Sequence, residues 1–407
     1  MKGIHQAMAE ATRLTRSGRM HEATALLRQT LQGGIAPEVS PANADAPGDD
    51  AIDAEYTVIT PDQRAMDPPS PATSESRQPA FLDSLLGSLK NPLGEFVAKA
   101  KPDRSNPDVW AGGQFIEDVF TYPAGTRHYK LYIPSTHPGQ AMPLLILLHG
   151  CTQDADDFAA GTRMNGLAER EGFLVLYPEQ ANAANPQRCW NWFKASDQER
   201  EQGEPALLAA LTRRIIRTHG ADARRVYVAG LSAGGAMAMV LGVTYPDLYA
   251  AVGVHSGLPY AAAHDLPSAF AAMQAGTLNL PGAVQGERAN RPIHPVPTIV
   301  FHGDRDTTVH PGNGDRVLAQ CTKAHTGGGR GKLRMKPQRG QVPGGHAYTQ
   351  SLYHDAQGQV VLEHWCIHGA GHAWSGGSPA GSFTDAKGPD ASAALLHFFL
   401  RHTRNPA

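Results

Sequence analysis

The sequence predicts an α/β fold: a mostly parallel central sheet flanked by helices and opened by an antiparallel hairpin. Three observations carry that expectation. Short apolar runs recur at Leu144–Leu148, Phe173–Tyr177, Val226–Ala229, Ala250–Val254 and Thr298–Phe301, the pattern of strands buried on both faces. Helix-length stretches separate most of them, for example Asp157–Arg170, Pro205–Thr218 and Gly235–Thr244, and such alternation makes the strands parallel. Two strand-like segments, Phe115–Phe120 and His128–Ile133, flank a Pro123-Ala124-Gly125 turn, which signals a hairpin.

The elements follow in order along the 407 residues. Residues 1–33 read as two short helices: Ile4, Met8, Ala11 and Leu14 recur at helical spacing, Ser17-Gly18 interrupts, and Met20, Ala23, Leu26, Leu27 and Leu31 resume. Such a pair either packs on the main domain or docks a partner. Residues 34–80 hold Pro37, Pro41, Pro47, Pro61, Pro68, Pro69, Pro71 and Pro79 among Ala, Asp and Ser, the composition of a disordered linker. Residues 81–109 form a bridging segment, and 110–404 form one α/β domain.

Composition excludes several classes. With 36 Lys and Arg against 38 Asp and Glu, the formal charge is -2, so no field of one sign draws in nucleic acid or an anionic membrane. No apolar run is long enough for a transmembrane helix. The first residues, MKGIHQAMAEATRLTRSGRM, lack the apolar stretch of a secretory signal. A cytoplasmic location is therefore favoured, with secretion as the alternative. The four cysteines, Cys151, Cys189, Cys321 and Cys366, are too few for a disulfide scaffold and contain no C-x-x-C pair. Cys151 and Cys189 lie on loops after consecutive strands, so their sulfurs are expected to be close. A reducing compartment would argue for free thiols, and both the thiol and the bonded state stay open.

The segment Val226 to Met237 carries G-x-S-x-G as Gly230, Ser232 and Gly234, between a buried strand and a helix pattern. That context identifies a nucleophile elbow of the α/β-hydrolase type. A serine on so sharp a turn needs small neighbours, and the helix that follows favours negative charge at its N-terminus. The hydroxyl also needs a base, and the base needs an orienting acid. Partners in this fold follow in the order Ser, Asp or Glu, His. His302-Gly303-Asp304-Arg305-Asp306 follows the strand Thr298–Phe301 and offers two acids. His372 lies in a glycine-rich loop after the strand Val360–Cys366 and before a last helix, Asp390–His402. The oxyanion hole needs two backbone N–H groups; one follows the nucleophile at Ala233, and the other is assigned to Cys151 in His149-Gly150-Cys151-Thr152-Gln153.

These residues resemble the poly(3-hydroxybutyrate) depolymerase-type esterases of the α/β-hydrolase superfamily. The resemblance rests on five ordered pieces: His149 to Gln153, Cys189-Trp190-Asn191-Trp192-Phe193, Gly230 to Gly235, His302-Gly303 with Asp306 to Val309, and Gly371-His372-Ala373-Trp374. It covers roughly residues 110–404. It implies a serine carboxylic-ester hydrolase, without cofactor, acting on polyhydroxyalkanoates or on feruloyl and acetyl esters of plant polysaccharides. It selects Asp306 as the acid of the catalytic set Ser232, Asp306 and His372. A partner on storage granules, docked through residues 1–33, becomes conceivable.

Rival readings bear on the remaining residues. His364, His368 and His372 are spaced by four with Cys366 among them, but Gly369 and Gly371 break any helix that would converge them, so no metal is expected. His302 and His310 are expected to shape the acid loop. Trp190, Trp192, Phe193, Ser256 and Trp374 are the expected substrate-binding residues, and Trp190 with Trp192 would supply an exposed apolar patch for a polymer surface. A non-catalytic granule-binding protein on the same scaffold is the alternative from another class, though it would have no need of a base and an acid.

Overall fold

The computed structural model describes residues 112–135, 141–275 and 293–404. The expectations for residues 1–33, 34–80 and 81–109 lie outside them. In chain order the described elements begin with β1 (Gln114–Tyr122), β2 (Gly125–Ile133) and β3 (Leu144–Leu148). Helices α1 (Ala155–Thr162) and α2 (Met164–Glu171) lead to β4 (Leu174–Pro178). Next come α3 (Gly203–His219), β5 (Val226–Leu231), α4 (Ala233–Thr244) and β6 (Ala251–His255). Then follow α5 (Leu266–Ala275), β7 (Thr298–Gly303), α6 (Gly312–Thr326), β8 (Arg334–Gln341), β9 (Ala347–His354) and β10 (Val360–Ile367). Two short strands, β11 (Trp374–Ser375) and β12 (Thr384–Asp385), precede α7 (Ala391–Phe399).

Ten strands form one sheet in the order β1-β2-β4-β3-β5-β6-β7-β10-β9-β8. From β4 to β10 neighbouring strands run parallel, and antiparallel hairpins close both edges. The period of two divides the core. Leu144, Ile146 and Leu148 of β3 pack with α3 and α4 on one face, while Leu145 and Leu147 pack with α1, α2 and α7 on the other. This doubly covered sheet is the α/β-hydrolase architecture the apolar runs predicted.

Three elements depart from expectation. The helix expected over Asp157–Arg170 is two helices, broken where Arg163 takes a left-handed conformation at φ 55°. The break lets the 376–384 segment approach: a Cβ on Gly161 would lie 2.9 Å from Thr384 Cγ2, and Arg163 donates to the Gly376 carbonyl at 2.7 Å. Helix α6 and the β8–β9 hairpin carried no apolar run to reveal them. β8 reads Arg-Met-Lys-Pro-Gln-Arg-Gly-Gln and is nearly all exposed; its charges and Pro337 are the protection of an edge strand.

Candidate active site

Parallel strands deliver their C-terminal loops to one edge of the sheet, where open α/β folds bind ligands. β5 ends at the elbow. Ser232 has φ 58° and ψ -119°, a conformation unusual for a residue with a side chain. The glycines beside it are a steric requirement: a Cβ on Gly230 would stand 2.6 Å from the Leu148 carbonyl oxygen, and one on Gly234 2.6 Å from that of His149. Ser232 N–H donates to the His255 carbonyl at 2.9 Å, fixing the turn to β6.

The loop after β7 carries the acid. Asp306 is buried, its Oδ1 accepting Thr308 N–H at 2.9 Å and Val309 N–H at 2.8 Å. Its Oδ2 meets His372 Nδ1 at 2.7 Å and has His302 Nε2 at 3.4 Å. Burial opposes ionisation, but hydrogen bonds from His302 and His372, the charge of His372 and Val309 N–H outweigh it. The carboxyl is held well below the usual carboxylate range. An ionised Asp306 only accepts, so His372 carries its proton on Nδ1 and leaves the Nε2 lone pair as a base. His302 Nε2 also donates to the Val309 carbonyl at 2.9 Å, bracing the acid loop as its position suggested. Among the described residues no hydrogen bond joins Ser232 Oγ to His372, a contact that is often long before substrate binds.

The loop after β3 is rigidly held. Gly150 N–H donates to Gln153 Oε1 at 2.9 Å, while Gln153 Nε2 donates to Asp157 Oδ2 at 2.8 Å. His149 Nε2 accepts Gln180 N–H at 3.1 Å, so Nδ1 donates to the Gly150 carbonyl at 2.7 Å. Burial lowers its pKa to about 4, which keeps it neutral. A Cβ on Gly150 would lie 3.6 Å from Ser232 Cβ, so this loop borders the elbow. With Gly150 N–H taken, Cys151 N–H and Ala233 N–H have no acceptor among the described residues.

Cys151 and Cys189 are joined in a disulfide, with Cα atoms 4.2 Å apart. The expected closeness of the two sulfurs is found, and of the two states left open the structure shows the bonded one. The bond ties the Cys151 loop to the segment after β4, which Glu204 holds by accepting Asn191 N–H at 2.7 Å.

The exposed apolar patch expected of Trp190 and Trp192 needs correction. Trp190 is 0% exposed against His149, and Trp192 is 5% exposed with its ring on Phe193, itself buried. Trp374 is buried between His255 and Phe158 and donates to Ser392 Oγ at 3.1 Å. Ser256 is buried, its hydroxyl 3.2 Å from His255 Nδ1. All five are buried: Trp190, Trp192 and Phe193 in the segment after β4, Ser256 directly after β6, and Trp374 on β11. Among the described residues the exposed large apolar side chains are Leu266 (52%) and Phe270 (47%), four apart on α5, together with Phe383, Met335, Leu400 and Val119. A Leu–Phe pair at i and i+4 was the signal available for the first two.

His255, at the end of β6, is a keystone. Its carbonyl holds Ser232, its Nε2 accepts Ser375 N–H at 3.0 Å, and its ring stacks on Phe301 and Trp374. Burial, with His302 and His372 nearby, lowers its pKa to about 3, so it remains neutral.

Comparison with known proteins agrees with this architecture. Residues 127–328 match the family model described as Esterase PHB depolymerase. The chain is 34% identical over 273 residues to poly(3-hydroxyalkanoate) depolymerase C of Paucimonas lemoignei, covering 66% of this chain and 63% of that protein. It is 29% identical over 276 residues to feruloyl esterase B of Thermothelomyces thermophilus, covering 64% of this chain and 87% of the relative. The solved acetyl xylan esterase from Aspergillus awamori superposes with a TM-score of 0.53 at 19% identity, over 71% of this chain and 99% of that one. The chain thus spans about three fifths of the length of the first depolymerase relatives it matches.

Proposed function

We propose, from the chain's membership of the PHB depolymerase-type esterase family, that it hydrolyses carboxylic esters through Ser232, His372 and Asp306 by way of an acyl-enzyme. The observation that carries the reading is the 2.7 Å Asp306–His372 hydrogen bond, made at the sheet edge where the strained Ser232 turn ends β5. His372 Nε2 takes the proton of Ser232 Oγ as the oxygen attacks the ester carbonyl. Asp306 stabilises the imidazolium and stays ionised. The N–H groups of Cys151 and Ala233 receive the oxyanion, each worth ~10²–10³ in rate. His372 then passes its proton to the departing alcohol, and a water activated by the same nitrogen releases the acid. No cofactor enters these steps.

The substrate of this reading is a poly(3-hydroxyalkanoate). The named depolymerase relative supports it, and the exposed apolar side chains of Leu266, Phe270 and Phe383 are the groups an insoluble polyester could meet. A soluble feruloyl or acetyl ester is the second reading, favoured by the feruloyl esterase whose length the chain largely covers. A panel of polymer film, feruloyl, acetyl and short alkyl esters separates them. Release of hydroxyacid from film, lost in Ser232→Ala, is expected; turnover of small esters with no attack on film overturns the polyester substrate. Turnover that persists in Ser232→Ala overturns the mechanism.

A further inference from the structure

Cys366 and His368 lie two apart where β10 leaves the sheet, and alternation along an extended chain puts them on one side. The broken helix that argued against a metal is therefore not the relevant geometry. Cys366 Sγ is 3.9 Å from His368 Nδ1, and Asp304 Oδ2 is 2.9 Å from the same nitrogen. The three donor atoms lie within 4.8 Å of one another. Two contacts orient them. Asp304 Oδ1 accepts Gly369 N–H at 2.7 Å, which presents Oδ2 to the cluster. His368 Nε2 meets Thr349 Oγ1 at 2.9 Å, the kind of outer partner that fixes a metal-bound imidazole. None of the three belongs to the proposed catalytic set.

We propose that Asp304 Oδ2, Cys366 Sγ and His368 Nδ1 bind a borderline-soft divalent cation of the Zn²⁺ class, with a fourth position open to water. One sulfur, one imidazole nitrogen and one carboxylate oxygen are the donors such ions take. Binding sends the Cys366 thiol proton to solvent. His368 holds its remaining proton on Nε2, donating to Thr349, and no electron is transferred. The site sits where the acid and base loops are stitched together: Asp304 N–H donates to the Ile367 carbonyl at 3.1 Å and Arg305 N–H to that of Ala370 at 3.0 Å. Asp306 follows Asp304 by two residues, and His372 follows His368 by four. The ion clamps the two loops and raises stability without entering the ester chemistry.

The test uses the full chain, stripped with a chelator and titrated with Co²⁺. One equivalent should bind with a thiolate-to-cobalt charge-transfer absorption. Cys366→Ser should abolish that absorption, and Asp304→Asn or His368→Gln should weaken binding tenfold or more. Zn²⁺ should raise the Tm of the parent and not of Cys366→Ser, while both turn over a short ester alike without metal. A cobalt spectrum lacking the thiolate feature, or a titration unchanged in Cys366→Ser, overturns the site. Should Cys366→Ser not fold, Zn²⁺ protection of the parent's Cys366 from alkylation, mapped by mass spectrometry, reads the same contact. Labelling at the same rate with and without Zn²⁺ overturns it equally.

Discussion

Asp304 and Asp306 stand two residues apart on one loop, yet each holds a different histidine. Asp306 Oδ2 pairs with His372 Nδ1 at 2.7 Å and Asp304 Oδ2 with His368 Nδ1 at 2.9 Å. Asp306 is buried and Asp304 exposed. The Thr308 and Val309 N–H groups turn Asp306 inward, while the Gly369 N–H holds Asp304 at the surface.

The first expectation is therefore a contrast in rate. Asp306→Asn should lower kcat on a short ester by around 10⁴, the loss seen for the acid of a serine-protease triad. Asp304→Asn should stay within about tenfold of the parent, since it touches only His368 and Gly369. The reverse ranking would remove Asp306 from the triad.

A second expectation concerns acid stability. Asp306 has a folded pKa held below its ordinary value, so its contribution to stability is complete above about pH 4 and lost as pH falls further. Urea unfolding at a series of pH values should show the stability gap between parent and Asp306→Asn narrowing below about pH 4. A constant gap would mean that the ionised carboxylate stabilises nothing.

Opening the Cys151–Cys189 bond gives the third. The crosslink spans 38 residues, and chain-entropy arguments put its worth at about 4 kcal/mol. A Cys151→Ser, Cys189→Ser double variant should unfold at lower denaturant and turn over esters more slowly, because the loop bearing Cys151 N–H loses its tether. Equal stability would show that the bond constrains nothing.

The fourth separates core from surface. Trp190→Ala empties a fully buried site and should cost about 3–5 kcal/mol of stability, with film and soluble-ester activities falling together. Phe383→Ala and Phe270→Ala should weaken attack on film while leaving short-ester kcat near the parent's. Polymer-selective loss in Trp190→Ala, with normal stability, would reverse the assignment.

The fold, and the chain order of Ser232, Asp306 and His372, were legible in contiguous residues. Runs such as Leu144–Leu148 must be buried on both faces, and Gly230-Leu231-Ser232-Ala233-Gly234 can be accommodated only on a turn too tight for side chains. What local pattern could not carry was the direction of side chains in long loops. Trp190 and Trp192, beside the polar Asn191, read as an exposed patch, yet both are buried. The disulfide and the Asp304–Cys366–His368 cluster likewise join residues 38 and more than 60 positions apart. Nothing local specifies such meetings. They follow from β7 and β10 lying side by side and from the β3 and β4 loops sharing an edge, which only the packed sheet decides.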